Sequence, residues 1–186
     1  MKRKLSLSIL SLCLASSLSA YEINGDLGVK WTGFKTEKKV PVSGTFNEIK
    51  LDIKSSESLS EFLNSAKVKI NSLSLESKNE GRNKSMTSTL FSLATAKEIK
   101  GAITKVNEAE KTLLVDITMN EVTKEVPMTY EIVEGNIVAK GAIEILDYNL
   151  KGSFLAFAKE CAALHENKSF SDVNIEFSIL RLVRVP

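Results

Sequence analysis

KTLLVDITMNEVTKEVPMTYEI, residues 111–132, alternates apolar and polar side chains on either side of a short polar break. Leu113, Val115, Ile117 and Met119 share one face, and after a turn around Asn120 to Lys124, Val126, Met128, Tyr130 and Ile132 share another. A period of two in adjacent runs predicts an antiparallel hairpin with one buried face. The same period recurs in Val29–Lys35, Thr45–Ile53, Ala66–Leu73, Ile99–Val106, Asn136–Ile145 and Val173–Val185. Seven or eight such strands, separated by polar turns such as Gly135-Asn136, predict an antiparallel all-β domain. Closing the sheet would abolish its edges.

Three segments break the alternation. Leu59–Leu63 and Ser85–Ser92 read as short helices or turns capping strand ends. Phe154–Leu164 reads as an amphipathic helical insertion with Phe154, Phe157, Cys161 and Leu164 in one stripe. That stripe either plugs one end of a barrel or gates entry to it.

Residues 1–20 have the three parts of a secretory leader: basic Lys2, Arg3 and Lys4, an apolar core from Leu5 to Leu18, and small Ala20. Cleavage is expected before Tyr21, with the bond after Ser19 as the alternative. The core is shorter than the roughly 20 apolar residues of a membrane span and is broken by serines. Cys13 lacks a lipobox, because Leu12 stands where a small residue is required. A soluble periplasmic product is therefore expected, with residues 21–186 as one domain. Without the leader's three cations the chain carries 22 basic and 23 acidic residues and no basic stripe, which argues against nucleic acid as a partner. Cys161 is then the one remaining cysteine, expected to be buried and inert.

Catalytic signatures are missing. No Gly-x-Ser-x-Gly elbow surrounds a serine, and no phosphate-binding glycine loop occurs. The single histidine, His165, lies in the polar run Leu164-His-Glu-Asn-Lys-Ser and reads as a solvated loop residue. Cys161 and His165, spaced i and i+4, fall short of the roughly four ligands of a closed metal site. The alternating Glu and Lys residues between Lys97 and Glu121 read as solvated surface. No catalytic residue, metal ligand or cofactor is expected.

The central run Ile117–Val126 resembles the "L-T-I-H-G-V-T-K-x-V" hairpin of the YceI-like family, with Asn120-Glu121 in place of His-Gly. Tyr21-Glu-Ile-Asn24 resembles that family's opening, and Val42-Ser-Gly-Thr-Phe46 its "V-x-G-x-F" strand. Gly81–Met86 followed by Thr89-Leu-Phe91 resembles its "R-D-x-H-L … D-F-F" connector. The connector departs from the pattern at Asn83 and Ser85, where the family carries an acid and a histidine. Near the end, Leu146 stands where an Arg commonly precedes "D-F/Y-G". The resemblance implies a lipocalin-like antiparallel barrel of about eight strands with short helical insertions. It further implies a non-catalytic periplasmic protein that holds a polyisoprenoid or similar apolar chain, such as a quinone tail. The residues expected to line such a tunnel are Trp31, Phe34, Phe46, Ile103, Met119, Met128, Tyr130, Phe154, Phe157 and Phe177. A transient membrane contact and a homodimer are compatible with this reading. The alternative is an extracytoplasmic structural or interaction module that keeps the barrel and holds no ligand, and an enzyme acting on the bound lipid is the weakest of the three.

Overall fold

The computed structural model describes residues 20–23, 25–180 and 182–185. The leader read at residues 1–20 lies outside them but for Ala20, which opens the first strand. In chain order the elements are β1 (Ala20–Ile23), β2 (Leu27–Lys35), β3 (Val40–Phe46), β4 (Ile49–Asp52), α1 (Leu59–Asn64), β5 (Lys67–Asn71), β6 (Leu75–Glu76) and α2 (Glu80–Ser85). There follow β7 (Glu98–Asn107), β8 (Thr112–Met119), β9 (Val122–Val133), β10 (Asn136–Glu144), α3 (Lys151–Glu160), β11 (Asp172–Ile179) and β12 (Leu182–Val185).

The hairpin predicted at residues 111–132 is β8–β9. Its turn is shorter than the Asn120–Lys124 span expected from sequence: Met119 pairs with Val122 across two residues, Asn120 and Glu121. Both have positive φ, 48° and 67°, as a two-residue loop requires if its twist is to match that of the strands. Asn120 tolerates this backbone and ties the turn down. Its Oδ1 accepts the Thr95 N–H at 2.7 Å, and its Nδ2 donates to the carbonyls of Tyr148 at 3.1 Å and Asn149 at 3.3 Å. Asn120→Ala removes these bonds and places a Cβ-only side chain at positive φ, so a loss of about 2 kcal/mol is expected in denaturant melts. An unchanged midpoint would show that the turn is held elsewhere.

Leu113, Val115, Ile117, Met119, Val126, Met128 and Tyr130 are buried as expected. Ile132 is not: it is 44% exposed, like Val133, because the β9–β10 hairpin runs past the core at its tip. The expected strand Thr45–Ile53 divides into β3 and β4 at Asn47-Glu48, and Val173–Val185 divides into β11 and β12. The inward phase moves at the first break from even-numbered Phe46 to odd-numbered Ile49 and Leu51.

The sheet order is β4-β5-β7-β8-β9-β10-β11-β2-β3-β6, all neighbours antiparallel. Its two ends are one pair of bent strands. β3 runs on into β4 and β5 into β6, so 40–52 lies against 67–76 on both sides of the kink, through Thr45 with Glu76 and Ile49 with Ile70. Asn47 N–H donates to Ser74 O at 2.9 Å between them. Since 40–52 also pairs with β2, and 67–76 with β7, the ring closes as an eight-stranded antiparallel barrel. β1 and β12 prolong the β2–β11 pair beyond it.

Helices close both ends. α1 inserts Leu59, Phe62 and Leu63, all buried, and Ser58 Oγ caps it by accepting the Glu61 N–H. At the opposite end α2 leads directly into a wider π turn, Met86–Phe91, which buries Met86, Leu90 and Phe91, and α3 packs against that turn. The strand-capping segment read at Ser85–Ser92 and the helical insertion read at Phe154–Leu164 thus cover the same mouth.

Candidate functional site: an axial run of cavities

Three cavities follow one another along the barrel. The mouth, about 380 Å³, lies under α2 and α3 and is bounded by Phe34, Lys35, Arg82, Phe154, Phe157 and His165. Below it a middle chamber of about 90 Å³ is walled by Val29, Phe46, Ile117, Met119 and Ile175, and shares Trp31, Met86, Leu90, Ile145 and Val173 with the mouth. A deep chamber of about 50 Å³ beside α1 is walled by Leu63, Ile103, Val115 and Ile137. Val68, Gly101 and Phe177 divide it from the middle chamber. The interior walls are apolar apart from lysine positions 67 and 100, whereas the mouth carries the polar side chains.

Of the ten residues expected from sequence, Trp31, Phe46, Met119 and Phe177 line the middle chamber, and Phe177 also borders the deep one with Ile103. Phe34, Phe154 and Phe157 line the mouth, again with Trp31. Met128 and Tyr130 point inward and are buried, but they line none of the three; they are packing residues. Met128 fills the space over Gly141, whose missing Cβ would come within 2.9 Å of the Met128 Cγ. Sequence reasoning favoured aromatic and Met residues and, Ile103 apart, passed over the branched aliphatic walls. Their signal is plain in the alternation Val29/Trp31 and Val173/Ile175/Phe177, and in the i, i+4 spacing of Met86 and Leu90.

V-x-G-x-F now has a physical cause. The Trp31 indole lies over Gly44, its pairing partner, and Nε1–H donates to Thr45 O at 3.4 Å. A Cβ on Gly44 would strike the Trp31 ring and come within 2.5 Å of Glu76 O. Phe46, two residues on, meets Phe91 edge-on with centroids 6.4 Å apart.

His165 is not the solvated loop residue its polar neighbours suggested. The chain continues past α3 through a 3₁₀ turn, Ala163–His165, and reverses at Glu166 and Asn167, both at positive φ. This folds the imidazole edge-on against Phe157 with centroids 5.6 Å apart, and Nδ1 lies 2.7 Å from Ser169 Oγ. Burial, with Lys35 and Arg82 nearby, pushes its pKa below the usual value. Leu164 by contrast is 73% exposed, because the α-helix ends at Glu160 and the predicted stripe loses its phase there. Cys161 is buried on the mouth wall, as expected, and burial raises its thiol pKa. Ser169 does not line the mouth, and no carboxylate hydrogen-bonds His165 among the described residues. Nor do three potential metal ligands gather anywhere among them.

The lowered His165 pKa has a sign that can be tested. Folding expels a proton from a group that titrates near 6.5 when unfolded, so its contribution is present above that pH and is lost as pH falls toward the folded value. Wild type is expected to lose more Tm between pH 7.5 and 5.5 than His165→Gln. Parallel curves would contradict the assignment.

A YceI-like domain model matches residues 18–179. The chain belongs to the YceI-like family. No curated protein sequence matches it. Solved structures do. A polyisoprenoid binding domain from Saccharophagus degradans superposes with a TM-score of 0.57 at 14% identity, covering 91% of this chain and 99% of that one. BcnA of Burkholderia cenocepacia gives 0.58 at 15%, covering 84% and 98%, and the Campylobacter jejuni YCEI protein 0.51 at 16%, covering 76% and 82%. At such identities the likeness is one of fold, and it agrees with the lipocalin-like barrel. Among the described residues no helix is long and apolar enough to cross a membrane.

Proposed function

We propose that this YceI-like protein is an exported, non-catalytic carrier that holds one long apolar chain, polyisoprenoid or similar, along the barrel axis. The tail runs from the mouth past Trp31 and Met86 into the middle and deep chambers. The observation that carries this reading is the succession of apolar chambers, each sharing a wall with the next, beneath the one mouth that carries polar side chains. Each buried methylene contributes roughly 0.8 kcal/mol, so a tail needs few polar contacts. The polyisoprenoid binding described for the S. degradans relative supports the ligand class. The leader pattern supports export to the periplasm.

Entry passes under α3. That helix has no side-chain N-cap, and Ser153 is its one buried residue within Lys151–Glu160. Phe154 and Phe157 are only partly buried where they pack on the core, so this is the cover that moves to admit a tail. Leu155 and Leu164, both exposed beside the mouth, would meet the surface of a membrane from which the tail is loaded.

One observation favours the rival reading of a ligand-free structural module. The chambers of 90 and 50 Å³ are each smaller than the roughly 150 Å³ that admits a benzene-sized ligand. A tail must therefore displace side chains, and Met86, Met119 and Leu90 are the flexible ones on its path. Trp31, the chain's one tryptophan, reports the event directly. Titrating lipid-stripped protein with a long-tailed quinone should quench its fluorescence to a 1:1 endpoint, while the tail-less quinone should not. Equal quenching by both, or by neither, would favour the ligand-free barrel.

A further inference from the structure

We propose that the mouth is a binding site for an anionic head group, a carboxylate or a phosphate monoester, on the same amphiphile whose tail occupies the interior. The proposal rests on the tail reading and adds the chemistry of the head.

Among the described residues, Lys35 and Arg82 are the charged side chains on the mouth wall, and no Asp or Glu lines it. Neither takes part in an ion pair among the described residues, where the four pairs involve Lys39, Lys100, Lys140 and Lys168. The Arg82 side chain spends one N–H on Ser77 O at 3.3 Å. Its backbone is fixed by the Asn79 cap at 2.8 Å, which holds the side chain at the start of α2 beside the opening. The adjacent Asn83 brings no charge, and its amide is committed to Ser77, at 2.6 and 2.9 Å, and to Glu76 at 3.1 Å.

Two half-buried cations on one wall, neither in an ion pair among the described residues, favour an oxyanion in the mouth, where it would satisfy guanidinium donors with matching geometry. His165 lies on the same wall, and its proton affinity is lowered first by burial and then by both cations, which puts the two within electrostatic reach of one ring. A neutral head would leave the pair unmatched.

The test uses lipid-stripped full chain and Trp31 fluorescence with four probes: hexadecanoate, hexadecyl phosphate, hexadecanol and inorganic phosphate. Both long-chain anions are expected to bind at least about tenfold more tightly than hexadecanol, and the tighter of the two names the head. In the Lys35→Gln/Arg82→Gln double variant the ratio should collapse to about one. Lys84→Gln, on α2 but outside the mouth, should keep the wild-type ratio. Equal affinity for anions and alcohol in wild type, or a ratio that survives the double variant, would overturn the head site and leave the tail reading intact. Inorganic phosphate binding as tightly as hexadecyl phosphate would overturn it in favour of a free-anion site. Failure of all three long-chain probes would overturn the tail reading, and the head site with it.

Discussion

Phe46→Asp should abolish the folded barrel or leave it barely stable. The ring is buried on the wall of the middle chamber and packs edge-on against Phe91. Truncating such a side chain costs about 3–5 kcal/mol, and an unpaired carboxylate in an apolar chamber adds several more. The sum reaches the 5–15 kcal/mol that typically holds a domain together. Urea melts by circular dichroism decide it, and a midpoint within experimental scatter of wild type would show that the chamber is wet. The milder Phe46→Leu keeps an apolar wall and should lose about 1–2 kcal/mol.

Gly44→Ala is the second large effect. The added methyl meets the Trp31 ring on one side and the Glu76 carbonyl on the other. Rotating a side chain relieves the first clash; nothing relieves the second without parting β3 from β6. A loss of about 3 kcal/mol is expected, at the upper end of ordinary overpacking, with a shift in Trp31 fluorescence. By contrast Gly33→Ala, two pairs along the β2–β3 ladder, has open space for its methyl and should be close to neutral. Equal effects at the two glycines would refute this explanation of the V-x-G-x-F motif.

The hairpin, the strand alternation and the two helical covers were legible because burial on one face imposes a period that survives in sequence. Closure of the ring was legible only in outline. It depends on the kink at Asn47-Glu48, whose trace is the shift of inward phase from Phe46 to Ile49, easily read as one continuous strand. The site was partly legible for the same reason. Trp31, Phe46, Met119 and Phe177 face the axis because their strands alternate, but so do Met128 and Tyr130. Period two fixes the face and says nothing about whether a residue meets a void or a neighbour; for Met128 that is decided by Gly141 on the adjacent strand. His165 was misread because its burial follows from the chain reversal at Glu166-Asn167 and from Phe157, neither of which is visible in local polarity.

The central claim is that the barrel interior holds an apolar chain, and native mass spectrometry of protein released from the periplasm of the cells that make it tests this most directly. The account predicts a species heavier than the mature polypeptide by one long-chain molecule, which is released on denaturation and recovered in an apolar extract. A spectrum of bare polypeptide, from protein that also fails to take up a long-tailed quinone after stripping, would contradict it.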